Sequence, residues 1–157
     1  ISLAGALGVY RIISPAWLVS TWLVAGAWLL LSVAADPAED KPAGGRGLLL
    51  ADGIARFVIG AGHLYDGAIA FAGTSQTVEA GWLAAKITLF GVLILLSIPV
   101  RRAGFAVRRE TALLARQPGD ASAAGRLRAA LGGLTVPVLA SWLLILAAAW
   151  AGVAKPG

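Results

Sequence analysis

Three ionisable side chains interrupt otherwise apolar stretches: His63, Asp66 and Lys86. Asp66 falls about seven residues inside one end of an apolar run over 53–73. Lys86 falls about five or six inside the adjoining end of a run over 81–100. Between them lies only the short polar segment TSQTVEA, from Thr74 to Ala80. So short a turn makes the two runs antiparallel neighbours, and at 1.5 Å per helical residue both charges lie roughly 8–10 Å below the same surface. A lone charge at that depth costs at least about 2.5 kcal/mol, so the spacing predicts an Asp66–Lys86 ion pair. Such a pair can pin the hairpin, the long lysine stem letting its ammonium reach toward the surface. Alternatively it lines a polar path for a substrate or an ion.

His63 stands three residues before Asp66, on the same helical face and close to mid-membrane. A neutral imidazole there can ligate heme iron or copper, with an acceptor on its other nitrogen fixing the tautomer. It is the only histidine, and the chain has neither methionine nor cysteine. A bis-histidine heme within this chain is therefore impossible. A heme b or metal held by His63 needs further ligands from a partner, or an open axial position. The plainer alternative is a histidine hydrogen-bonded within the fold, and Tyr65 reads as packing. No nucleophile elbow, phosphate loop, zinc-helix motif or paired carboxylate appears, so neither a catalytic residue nor a metal site is assigned. The glycines of GAGHLYDG follow no strand and read as close helix packing.

The elements that hold these residues are membrane helices. Of 157 residues 59% are hydrophobic and 13% charged, with a mean hydropathy of +0.82. Soluble domains carry roughly a quarter charged residues, so lipid is the medium this composition fits. A hydrocarbon core of ~30 Å needs ~20 apolar residues per helix, which leaves room for four crossings. Absence of cysteine leaves the redox compartment unspecified. The net charge of +5 does not indicate nucleic acid, because the arginines gather at the ends of apolar runs and no aromatic-interleaved basic face exists.

In chain order, residues 1–11 are apolar but too short to cross, and they read as the remnant of a cleaved segment or an interfacial lead-in ending at Tyr10 and Arg11. The start at Ile1 is what a processed or truncated chain shows. The first helix is expected over about 13–34, opened by Ser14-Pro15 and carrying Trp17, Trp22 and Trp28. A proline- and glycine-rich loop follows over 35–50. The second helix is expected over about 53–73, with Asp52 and Arg56 four apart and able to pair at its entrance. The third covers about 81–100 and the fourth about 131–153, kinked at Pro137. Between them lies a basic loop, 101–130, whose first half can form a surface helix with Phe105, Val107, Leu113 and Leu114 toward lipid, before a turn at Gln117–Asp120. This stretch holds seven arginines (101, 102, 108, 109, 116, 126 and 128), against none in 74–80. Arg101, Arg102, Arg108 and Arg109 thus set the topology, with the loop cytoplasmic and both termini outside.

The segment Gly81-Trp82-Leu83-Ala84-Ala85-Lys86, the basic stretch before the last helix and the ending Ala154-Lys155-Pro156 together resemble a loose bacterial group of small integral membrane proteins. That group includes the copper-resistance D membrane domain and the membrane-type protoporphyrinogen oxidase. The resemblance covers about 52–157 and implies a membrane helical fold in which Lys86 corresponds to the group's helix lysine. The oxidase type carries a heme-associated histidine on its first helix, which is lacking here, and copper-type members offer more histidine or methionine ligands. A scaffold that kept its fold without its cofactor site fits this pattern.

The expectation is an all-α, polytopic four-helix membrane bundle in the inner cell membrane, a single domain over 1–157. The favoured role is an accessory or assembly subunit of a larger membrane complex, of the bioenergetic kind, in contact with lipid and other membrane subunits. The alternatives are a heme- or metal-dependent redox protein using His63 and a small ion or metal transporter lined by Asp66, Lys86 and His63.

Overall fold

The computed structural model of the chain describes residues 15–35, 44–75 and 81–154, with side chains from Val19 in the first stretch and from Gly47 in the second. The expectations for residues 1–14, for most of the first loop and for the Lys155-Pro156 ending lie outside the described residues, as does the side chain of Trp17. The described residues form four helices: α1 Pro15–Ala35, α2 Gly44–Phe71, α3 Gly81–Arg116 and α4 Ala121–Ala154. Three contain stretches long and apolar enough to cross a membrane, and Val19–Ala35 of α1 is a shorter apolar helix. Large apolar side chains such as Leu23, Leu30, Leu143 and Val153 stand exposed on these helices. With lipid as solvent that exposure is the stable arrangement, and an apolar medium obliges the backbone to bond internally, as helices do. The protein is an all-α, multi-pass membrane protein.

Helix boundaries differ from the sequence expectation at three points. α2 starts at Gly44 rather than near 53. Its glycines disfavour helix, but Leu48–Leu50 extend the apolar stretch, and backbone entering lipid must close its own hydrogen bonds. The expected loop over 101–130 is helical except for 117–120. α3 continues through Pro99 to a length of 36 residues, about 54 Å, and α4 begins at Ala121. Residues 101–116 are helical, as the sequence allowed, and continue α3 without a break up to the turn at 117–120. They are the upper part of a helical hairpin, tied to α4 by an ion pair from buried Glu110 to Arg126 at 2.9 Å.

The described chain falls into two compact units: the first holds α1 and α2 as far as Val58, the second α2 from Ile59 together with α3 and α4. In the second unit α3 buries Leu83, Ala84, Ile87 and Gly91 along one face, and α4 buries Ala123, Ala148 and Ala151. Small residues let backbones approach, and α2 and α3 come close where they cross. A Cβ added at Gly91 would lie 2.9 Å from the Gly60 carbonyl oxygen and 3.0 Å from the Leu64 nitrogen. One heptad along α2 from Gly60, a Cβ at Gly67 would collide with the Thr88 hydroxyl.

The ends of these helices follow from local chemistry. Gly73 adopts φ of 70°, with its N–H on the Ala70 carbonyl and the Thr74 N–H on that of Ile69, a Schellman stop for α2. The α3–α4 reversal runs through Gln117-Pro118-Gly119-Asp120. Asp120 Oδ1 accepts from the Ser122 N–H at 2.8 Å, the Ala123 N–H at 3.2 Å and the Ser122 hydroxyl at 2.6 Å, so it caps α4. These bonds, the Ser122 hydroxyl first, hold the Asp120 carboxyl below the usual carboxylate range. A depressed folded-state value stabilises above the ordinary carboxylate pKa, and the contribution is lost as pH falls through the folded-state value. Asp120→Ala is expected to remove that acid dependence and to speed hydrogen exchange at the Ser122 and Ala123 amides, read by exchange mass spectrometry.

Candidate functional site

The first unit contains a polar cluster between the last two turns of α1 and the part of α2 around Asp52 and Arg56. Asp52 and Arg56 are one helical turn apart, so their side chains share a face. Arg56 Nε donates to Asp52 Oδ2 at 2.8 Å and Nη2 to Oδ1 at 3.2 Å, a fork on one carboxylate. α1 contributes Ser32, whose hydroxyl donates to Asp52 Oδ1 at 2.7 Å and accepts from Arg56 Nη2 at 3.1 Å. Trp28, one turn earlier on α1, lies under the guanidinium, 5.4 Å from its centroid. The side chains of Asp52 and Arg56 are 3% and 13% exposed, so the pair is removed from solvent. The i, i+4 spacing pointed to the Asp52–Arg56 contact. It did not point to Ser32 or Trp28, although a lone hydroxyl near the end of an apolar run was the available signal.

In the second unit the three residues singled out by type do not converge. The His63 Nδ1–H donates to the Ile59 carbonyl at 2.8 Å, which leaves Nε2 with its lone pair when the ring is neutral. Asp66 is exposed and, among the described residues, has no hydrogen bond or ion pair. The Lys86 ammonium turns away from α2. It lies 5.7 Å from the Trp82 ring centroid and against Gly152 in the last turn of α4, where an added Cβ would collide with Nζ. The expected Asp66–Lys86 pair is therefore not formed.

The reason is rotation about the helix axes, about 100° per residue. Gly67 and Thr88 occupy the α2–α3 seam. Asp66, one residue from Gly67, is turned well off that seam, and Lys86, two residues from Thr88, faces nearly the opposite way. Lys86 lies instead at the end of α4, where unsatisfied carbonyls and the negative helix terminus favour a cation. No polar path joining His63, Asp66 and Lys86 is assembled.

Arg101, Arg102, Arg108 and Arg109 all lie on the upper part of α3, beyond the apolar run. Glu110, which composition alone did not single out, is buried among Arg126 and, at 4.0 Å, Arg109. Among the described residues no three side chains of metal-ligand type gather in one place. His63 offers a single nitrogen donor with its other nitrogen already fixed, which fits one axial position of a heme. No family model matches the chain, and neither the curated proteins nor the solved structures contain a significant match to it.

Proposed function

We propose that this chain is an accessory or assembly subunit of a larger membrane complex, of the bioenergetic kind, without catalysis of its own. The observation that carries the reading is Asp66. It lies within the Gly47–Phe71 span of α2 and is exposed, with no partner among the described residues. Charges inside membrane segments ordinarily pair, because leaving one alone costs about 2.5–3.5 kcal/mol. One turn back, Gly62 is also exposed, and a Cβ there would meet nothing within 4 Å. An open glycine admits a second helix closely. Together the two positions suit a neighbouring membrane helix that carries a lysine or arginine. The arginines beyond the apolar run of α3 favour the cytoplasmic side of the inner membrane for the α3–α4 turn, with both termini outside.

The test is recovery of the complex in mild detergent, with a photo-crosslinking residue at position 62. The crosslink is expected to fall on a membrane segment bearing a basic residue. Asp66→Asn is expected to lower recovery about tenfold, the scale of one interhelical polar contact in lipid. Undiminished recovery, or a crosslink only to lipid, would overturn the reading. One specific feature favours a second reading, as a heme-dependent redox protein: the fixed His63 Nδ1 that leaves Nε2 to ligate. A Soret band in the purified protein that disappears in His63→Ala would select it.

A further inference from the structure

Two opposite charges of the second unit, Asp66 on α2 and Lys86 on α3, have no ion pair among the described residues. Within one chain they do not meet. Gly67 and Thr88 fill the α2–α3 seam, Asp66 is turned off it, and Lys86 faces nearly the opposite way. The Trp82 ring and the end of α4 hold the Lys86 ammonium, yet neither supplies a full negative charge.

Their depths nevertheless agree. The contact of Gly67 with Thr88 fixes the register of the antiparallel pair. Asp66 is one residue deeper than that contact and Lys86 two residues shallower. They thus stand about 4.5 Å apart along the axis, within reach of a lysine stem. Gly62 is five residues from Gly67, and Leu93 five from Thr88, so these two share one depth. Leu93 also follows Lys86 by two turns on the same stripe of α3. One face therefore offers a carboxylate with open backbone a turn deeper, since a Cβ at Gly62 would meet nothing within 4 Å. The other offers an ammonium with a leucine two turns deeper. Gly152, beside the Lys86 Nζ, has no side chain to cover that cation.

We propose that these two faces meet between neighbouring copies of this chain, the Asp66 carboxylate of one copy pairing with the Lys86 ammonium of the next. The inference rests on the docking role given above to Asp66, and it names the neighbour as α3 of a second copy. Copies of one chain share one orientation in the membrane, so the match in depth carries over from copy to copy. The two faces differ, so the contact is head to tail, and closing it into a ring pairs every charge.

The test uses the full chain in membranes, as two co-expressed copies with different tags, one carrying a photo-crosslinking residue at position 62. The adduct is expected on the other tagged copy, near Leu93. D66K in both copies is expected to lower its yield about tenfold, the scale of one interhelical polar contact in lipid. The charge swap D66K/K86D is expected to restore it. An adduct with the basic membrane helix of a different protein would overturn the second copy as partner and leave the subunit role standing. An adduct with lipid alone would overturn both. Failure of the swap to restore the yield would overturn the pairing. Should the reversals misfold, K86Q decides: it is expected to lower the yield as D66K does, and an undiminished yield would overturn the proposal.

Discussion

Arg56→Ala is expected to cost the fold about 3–5 kcal/mol, the penalty for leaving a buried carboxylate without its cation. Asp52 is 2% exposed, and the guanidinium forks onto its carboxylate while covering Trp28. Removing the cation takes two charge-assisted hydrogen bonds from the buried carboxylate and uncovers the ring. The double variant Asp52→Ala/Arg56→Ala is expected to recover much of the loss, since it removes the buried carboxylate with its partner. The measurement is a double-mutant cycle by unfolding in mixed micelles. Additive losses would show that the two residues act separately.

The second large effect is at the α2–α3 crossing. Gly91→Ala is expected to destabilise by about 1–3 kcal/mol, because the new methyl meets atoms that cannot rotate aside. The Gly60 carbonyl oxygen at 2.9 Å and the Leu64 nitrogen at 3.0 Å are backbone, and the His63 Cβ follows at 3.1 Å. Gly26→Ala is the matched control, since a Cβ there meets nothing within 4 Å. On helix propensity alone it is expected to be neutral or to stabilise by up to about 1 kcal/mol. Thermal unfolding in the same detergent separates the two. A shift in the His63 ring resonances is expected only for Gly91→Ala.

How far the sequence could be read depended on which coordinate was asked of it. Depth along a helix axis follows from counting residues, so the positions of Asp66 and Lys86 below the surface were readable. Azimuth was not, because it depends on which face meets which neighbour. The signal was present in Gly60 and Gly67, one heptad apart on α2, and in Gly91 on α3. Those glycines mark the seam and place Asp66 off it. The Asp52–Arg56 contact was readable because both partners lie on one helix. Trp28 and Ser32 join them only through the packing of α1, which spacing within α2 does not encode. The unbroken run of α3 past Arg101-Arg102 is not marked by the apolar pattern, because charge ends the lipid-facing stretch without ending the helix. Arginine is a good helix former, and leaving lipid gives the backbone no reason to uncoil. Asp120 and the Pro118-Gly119 turn mark where the hairpin does reverse.

Pro99 gives α3 a mechanical property that its unbroken outline hides. Proline has no N–H, so the Leu95 carbonyl loses its partner one turn back along the helix. Leu95 is also the side chain that a methyl at Gly60 would strike, at 2.8 Å. One rung is therefore missing just inside the hydrocarbon boundary, beside the α2–α3 glycine crossing. The rod is stiff on either side of that point and compliant at it. A load on the arginine-bearing arm reaches the glycine crossing as a swivel, not as a push along the axis.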